Sequence, residues 1–316
     1  MKNKSKIVIV LCVTVLFLAA CGSKSNSNDK LKIYATNFPY ESFTKQIGGE
    51  YVDVESIYPS GTDLHNYEPT QKEMLNIAKS DLFVYSSDEL DPVAKKISST
   101  IKQGDHKLQT IPNLEESEIL EHYHEDGEEH EHEHDATHNE ENEHDPHIWL
   151  DPIANKEAAK SIKDKLVKID ASHKETYEKN YKKLITDIDK IDKEMKEITK
   201  DTKRDTVFIS HDSLGYLANR YHFKQTGVTG MNNEEPSQKE LLNIIKEINK
   251  SKSPYILYEQ NVSSKVTDII KKDTDSKPLK FHNLEVLTKE EAKDKNITYQ
   301  SLMEENIKNL DKALNN

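Results

Sequence analysis

Four places in the 316-residue chain put a metal-binding type of side chain in a loop or at the end of an extended run: His65 in "GTDLHNYEPT", His147 in "DPHIWLDP", His211 in "FISHDSLGYL" and Glu285 in "HNLEVLT". Neutral imidazole and carboxylate are the ordinary ligands of zinc and its neighbours. Taken singly each is weak, because a lone loop histidine is more often solvated and a lone glutamate is more often a surface charge. Surroundings strengthen two of them. His147 sits between Pro146 and Pro152, beside the chain's single tryptophan, Trp149, in a stiffened stretch that favours burial. His211 and Glu285 directly follow strand-like runs, and ligands of open α/β sheets lie outside the carboxyl ends of strands. Seven further histidines, His122, His124, His130, His132, His134, His138 and His144, lie in an acidic stretch with almost no apolar residues after Tyr123. Such a segment cannot bury enough surface to fold, so its imidazoles are not held in place for tight ligation. Only Cys12 and Cys21 are present. Cys12 falls within an export signal, which leaves no intramolecular disulfide and no thiolate metal site in the mature chain.

The elements that must position these residues follow from periodicity. The runs "LKIYATN" from Leu31, "YVDVESIYP" from Tyr51 and "DLFVYSS" from Asp81 are β-branched and aromatic, bounded by turn formers, and predict strands. Between them "PYESFTKQIGG" and "TQKEMLNIAKS" have helical spacing, the second with Met74, Leu75 and Ala78 assigned to one face. The same alternation returns with "TVFIS", "PYILYEQ" and "LKFHNL" as strands, "SQKELLNIIKEINKS" and "SSKVTDIIKKDTD" as helices, and a closing helix "YQSLMEENIKNLDKAL". Alternating strands and helices predict mostly parallel sheets in two α/β lobes. From Ala154 to Lys200 there is neither proline nor glycine, and Tyr177, Tyr181, Leu184, Ile188, Ile191, Met195 and Ile198 recur at steps of three and four. That stripe predicts one long helix joining the lobes, with a coiled-coil dimer as the alternative use of the same stripe.

The opening "MKNKSK" followed by "IVIVLCVTVLFLAAC" has the charged start and short apolar run of an export signal. Its "LAAC" ending resembles the bacterial lipobox, which implies cleavage before Cys21 and lipidation of that cysteine. The expected organisation is a signal over 1–20, a flexible tether over 21–30, a first lobe over 31–153 containing a disordered loop at 115–145, linker helices over 154–203 and a second lobe over 204–316. Net charge is −13, but residues 115–145 hold fifteen Asp or Glu and no Lys or Arg, so the remainder is close to neutral. A basic nucleic-acid footprint is absent.

The motifs "GTDLHNYEPT", "DPHIWLDP", "SHDSLGYLANRYHF" and "YEQNVSSK", in that order and with a His/Glu-rich insert before the second, resemble the zinc-binding lipoproteins of bacterial ABC metal importers, the cluster A-I family of ZnuA- and AdcA-like proteins. The resemblance runs from about Leu31 to the end. It implies two α/β lobes bridged by a rigid helix, with the metal in the cleft between them. Matched motif by motif, it implies His65 and His147 as ligands from the first lobe and His211 and Glu285 from the second. It also implies an ABC permease as partner, a monomer held to the outer face of the membrane by lipid on Cys21, and no catalysis. Three imidazoles and one carboxylate suit Zn²⁺, whereas an oxygen-richer set suits Mn²⁺. Where many relatives carry a glycine-rich segment this chain has "YSSDELDP", and it is expected to be without the metal-binding domain that some append at the end. Manganese delivery is the alternative within the class. A zinc hydrolase using Glu285 as a base, and an adhesin stabilised by structural zinc, are the alternatives outside it. The histidine-rich loop is expected to be a weak zinc collector acting by local concentration, against a solvated loop of no function.

Overall fold

The computed structural model describes residues 30–316 apart from 63, 65–66, 103, 112–119, 121–143 and 261–264. The signal, Cys21, His65, most of the histidine-rich loop and part of "YEQNVSSK" therefore lie outside the described residues. The first lobe contains β1 (Leu31–Ala35), α1 (Phe38–Gly48), β2 (Val52–Ser56), α2 (Gln71–Ala78), β3 (Leu82–Tyr85), α3 (Pro92–Ser98) and β4 (Lys107–Gln109). Two helices follow, α4 (Pro152–Ile169) and α5 (Lys174–Thr199). The second lobe contains β5 (Thr206–His211), α6 (Gly215–Tyr221), β6 (Lys224–Thr229), α7 (Gln238–Ser251), β7 (Tyr255–Glu259), α8 (Lys265–Asp273) and β8 (Lys277–Phe281), and the chain closes with α9 (Tyr299–Asn315).

Each lobe is a four-stranded sheet, ordered β2-β1-β3-β4 in the first and β6-β5-β7-β8 in the second, and every strand pair among the described residues is parallel. Parallel strands covered on both faces need near-continuous apolar runs, and β3, "LFVY", is buried at all four positions. The predicted strands are all present. Two edge strands, β4 and β6, have no counterpart among the strands that the sequence predicts. β4 is three residues long, and β6, "KQTGVT", is polar and contains a glycine, so neither carries a hydrophobic signature. The short helices α3 and α6, seven residues each, also lack a long enough repeat to be recognised. In α2 the expected face is corrected. Ile77 is buried with Met74 and Ala78 half-buried beside it, while Leu75 is 59% exposed, because a residue one step from Met74 is turned away by a third of a helical turn.

The long helix α5 has 26 residues, about 39 Å at about 1.5 Å per residue. Its stripe is buried at Tyr177, Leu184, Ile188, Ile191 and Met195. α4 folds back beside it after a break at Asp170, whose carboxylate accepts from Tyr177 Oη at 2.6 Å. α5 also packs against α1 from the first lobe and α9, which closes the second. The stripe is thus consumed within one chain, and a second copy is not needed to cover it. One apolar core runs from Ile33, Val54 and Val84 through Trp149 and the two linker helices to Val207, Ile209 and Leu257. Smaller cores lie behind each sheet, around Phe83 and Tyr85 in the first and around Phe208 and Ile256 in the second. Residues 31–316 accordingly form one compact unit.

Candidate metal centre

The first arm of the centre is a short 3₁₀ turn, His147–Leu150, entered through Pro146 and left through Asp151, the N-cap of α4. Asp145 makes the turn rigid at its start. Its Oδ1 accepts from the His147 backbone N–H at 2.9 Å and lies 2.7 Å from His147 Nδ1. With Nδ1 donating to that carboxylate, Nε2 is the nitrogen that faces inward, 3.6 Å from Glu285 Oε1. Trp149 packs edge-on against the imidazole at a centroid separation of 5.2 Å, and its Nε1 donates to the Asn283 carbonyl at 2.9 Å, tying the turn to the second lobe.

His211 is the last residue of β5, fully buried at the carboxyl end of the central strand. Behind it stands Glu259, the last residue of β7. Glu259 accepts from Ser210 Oγ at 2.9 Å and Ser213 Oγ at 2.7 Å, and its Oε1 is 3.4 Å from His211 Nδ1. The other ring nitrogen, Nε2, donates to the Met231 carbonyl at 2.7 Å. Ligation through either nitrogen therefore exchanges an existing hydrogen bond for the metal.

Glu285 is reached through Leu284, which holds a left-handed φ of 61°. The Glu285 N–H donates to Asn283 Oδ1 at 3.2 Å, and its carbonyl accepts from the Phe38 N–H at 3.0 Å. Two residues on, the Leu287 carbonyl accepts from the Gly61 N–H at 2.9 Å, and Val286 packs in the core behind the first sheet. Glu285 follows a second-lobe strand in sequence, yet its backbone is stitched to the first lobe.

One ligand atom from each of His147, His211 and Glu285 lies within 4.8 Å of the other two, and all three residues are buried. The two imidazoles meet edge to face at 4.8 Å between centroids. A tetrahedral zinc with bonds of about 2.1 Å needs donors about 3.4 Å apart, so the three atoms are within a small inward movement of that geometry. Electrostatics favour a cation here. Burial alone lowers the basicity of His147, but the adjacent Asp145 and then Glu285 outweigh it and push the imidazole up to about 10. Burial opposes protonation of His211 in the same way, and Glu259 overcomes it, so that this group too is raised.

Of the residues predicted from sequence, the structure thus brings together His147, His211 and Glu285. His65 lies outside the described residues, as do His122, His124, His130, His132, His134 and His138. His144 is half-buried at a bridge position, and the next residue, Asp145, is buried and bonded to His147. Asp145 and Glu259 were not singled out from the sequence. Asp145 is hidden as the last of fifteen acidic residues, although an aspartate two residues before a histidine signals an Asx-type turn. Glu259 ends a strand as His211 does and was accessible to the same rule.

Comparison with known proteins adds an independent line. A family model described as "Zinc-uptake complex component A periplasmic" matches residues 33–313. The chain is 34% identical over 318 residues to the high-affinity zinc uptake system protein ZnuA of Bacillus subtilis, covering 97% of each. It is 33% identical over 320 residues to the zinc-binding lipoprotein AdcA of Streptococcus pneumoniae, covering 98% of this chain but only 60% of that longer relative. The solved Zn(II)-bound ZnuA-like domain of Streptococcus pneumoniae AdcA superposes with a TM-score of 0.72 at 28% identity, over 91% of this chain and 100% of that one.

Proposed function

We infer that this chain, which belongs to the family of periplasmic zinc-uptake complex component A proteins, captures Zn²⁺ outside the cytoplasm and delivers it to an ABC-type membrane permease. The observation that carries this reading is the convergence of buried His147, His211 and Glu285 from three separate segments, with ligand atoms within 4.8 Å. His65 is the proposed fourth ligand, completing three imidazoles and a carboxylate. That set favours zinc over manganese, which takes oxygen-richer sites. A closed set of four protein ligands leaves no position for an activated water, which supports binding and release in place of catalysis. The Cys21 sulfur is the proposed lipid anchor, with residues 21–30 as tether. Burial of the α5 stripe within the chain supports a monomer.

The test is metal competition. Purified protein offered equal zinc and manganese is expected to retain one tightly bound zinc, and His211→Ala to weaken that binding by roughly 100-fold or more, beyond the loss from an outer-shell change. A protein that keeps manganese in preference to zinc, or a His211→Ala variant with unchanged affinity, refutes the assignment. In cells, removal of the chain should slow growth in zinc-poor medium, and added zinc alone should restore it.

A further inference from the structure

Two helices that sit at the same place in the two lobes carry nearly the same sequence. Residues 68–79 read "EPTQKEMLNIAK" and residues 235–246 read "EPSQKELLNIIK", at a constant offset of 167 residues. They span α2 and the start of α7, which connect equivalent strands of sheets with the same order. Both helices open with a capping box, Thr70 with Glu73 and Ser237 with Glu240. The surrounding elements show no such match: α1 and α6, or α3 and α8, share neither length nor pattern.

Where the two copies differ is informative. The differences are Thr70 against Ser237, which is the same capping hydroxyl, and the half-buried pairs Met74 against Leu241 and Ala78 against Ile245. Gln71, Lys72, Leu75, Asn76 and Lys79 are all exposed, and every one recurs unchanged and exposed in the second copy. A duplicated fold alone would preserve the apolar pattern of the buried face and let the solvent face drift. Here the solvent face is the part that is identical. Leu75 and its counterpart Leu242, at 59% and 57%, are also the most exposed of the large hydrophobic side chains among the described residues.

Lys72, Leu75 and Lys79 lie at i, i+3 and i+7, one stripe on the outer face of the helix. The complement of that stripe is an apolar pocket flanked by carboxylates, and two copies on one chain call for two such pockets on a partner with a repeated surface. An acidic bilayer would also attract lysine and leucine, but it reads charge and apolarity and gives no reason to keep Gln71 and Asn76 in both copies. In sequence α2 directly follows the "GTDLHNYEPT" motif, and α7 follows the segment whose Met231 carbonyl accepts from His211 Nε2. A partner that grips both faces holds both lobes at once.

We propose that the solvent faces of α2 and α7 form a paired docking surface for two equivalent subunits of the membrane permease, each offering an apolar pocket edged by acidic groups. This rests on the zinc-delivery reading above. The test uses full-length lipidated protein in cells lacking their own copy, with uptake of radioactive zinc as readout. Leu75→Glu and Leu242→Glu, both at exposed positions, should each lower uptake at least about tenfold, as loss of a central interface contact does. The double variant should abolish it. Purified variants should keep wild-type zinc affinity and melting temperature, and Leu75→Met and Leu242→Met should transport normally. Either glutamate variant transporting at the wild-type rate overturns the paired surface. A loss of uptake matched by lost binding to phosphatidylglycerol vesicles that contain no permease overturns the choice of partner. If the wild-type chain itself does not support zinc uptake, the delivery reading fails and the docking proposal falls with it. If the wild type does and both variants do as well, only the docking proposal fails.

Discussion

At the scale of single residues, the centre is a place where protons and metal compete for the same nitrogens. His147 is raised to about 10 by Asp145 and Glu285 against the opposing effect of burial, and ligation requires the unprotonated ring. Zinc binding near neutral pH must therefore displace a proton from His147. Affinity is expected to rise by about tenfold per pH unit for each proton displaced, from roughly pH 6.5 toward 9, and to fall steeply below that range. The metal-free protein has the opposite trend. A histidine with a raised folded-state value contributes stability that is complete below its unfolded value of about 6.5 and is lost as pH rises through the folded one. Calorimetry of the metal-free and zinc-loaded forms between those limits measures both slopes, and a zinc affinity independent of pH would rule out this account. Asp145 and Glu259 do their work through the histidines. Asp145 holds Nδ1 of His147 and leaves its Nε2 facing Glu285, while Glu259 stands beside Nδ1 of His211, whose Nε2 is held by the Met231 carbonyl.

At the scale of elements, the centre depends on how closely α6 of the second lobe approaches the turn that carries His147. A Cβ on Gly215, at the start of α6, would lie 2.3 Å from Asp145 Oδ2 and 3.4 Å from Leu120 Cδ1. Next along the helix, Tyr216 Oη accepts from the Leu120 N–H at 3.4 Å and donates to the Asp145 carbonyl at 3.0 Å, while the Asp145 N–H donates to the Leu120 carbonyl at 2.9 Å. One turn further, Arg220 grips the buried Asp151 carboxylate, with Nε 2.6 Å from each oxygen. α6 thereby holds both sides of the turn. Gly215→Ala should improve helix propensity by less than the interior value of about 1 kcal/mol, because Gly215 is the first residue of α6. It should nevertheless push Asp145 off His147 and weaken zinc binding by about 10–100-fold, the usual cost of disturbing an outer-shell partner. The expected pair of results is a lowered melting temperature without metal, as the Asp145–His147 contact is lost, and a reduced zinc affinity. Full retention of affinity would show that Asp145 can move without consequence.

At the scale of the whole molecule, the two ends of the histidine-rich stretch meet at the hydrogen bond between Leu120 and Asp145, so a short turn can replace what lies between. Shortening a surface loop changes closure entropy by only about 1 kcal/mol. Deleting residues 122–143 while keeping His144, Asp145 and "DPHIWLDP" should leave one tight zinc per chain, remove weaker additional ions, and slow uptake only when zinc is scarce. Titration calorimetry of both forms decides it: an equal number of bound ions would dismiss the collector, and loss of the tight ion would mean that the loop belongs to the centre. The sequence alone determined the α/β class, the strands with continuous apolar runs, the length and stripe of α5, and the candidate residues His147, His211 and Glu285 that the fold brings together, because burial periodicity and side-chain chemistry are local properties. It was silent on β4 and β6, edge strands whose order comes from pairing with their neighbours. Tertiary structure decided that Leu75 faces solvent and that the α5 stripe is covered by α1, α4 and α9 of the same chain. It also decided that Glu285 is anchored to the first lobe and that Asp145 and Glu259 orient the histidines, since these contacts join residues far apart in the chain whose separate signals carry no mark of one another.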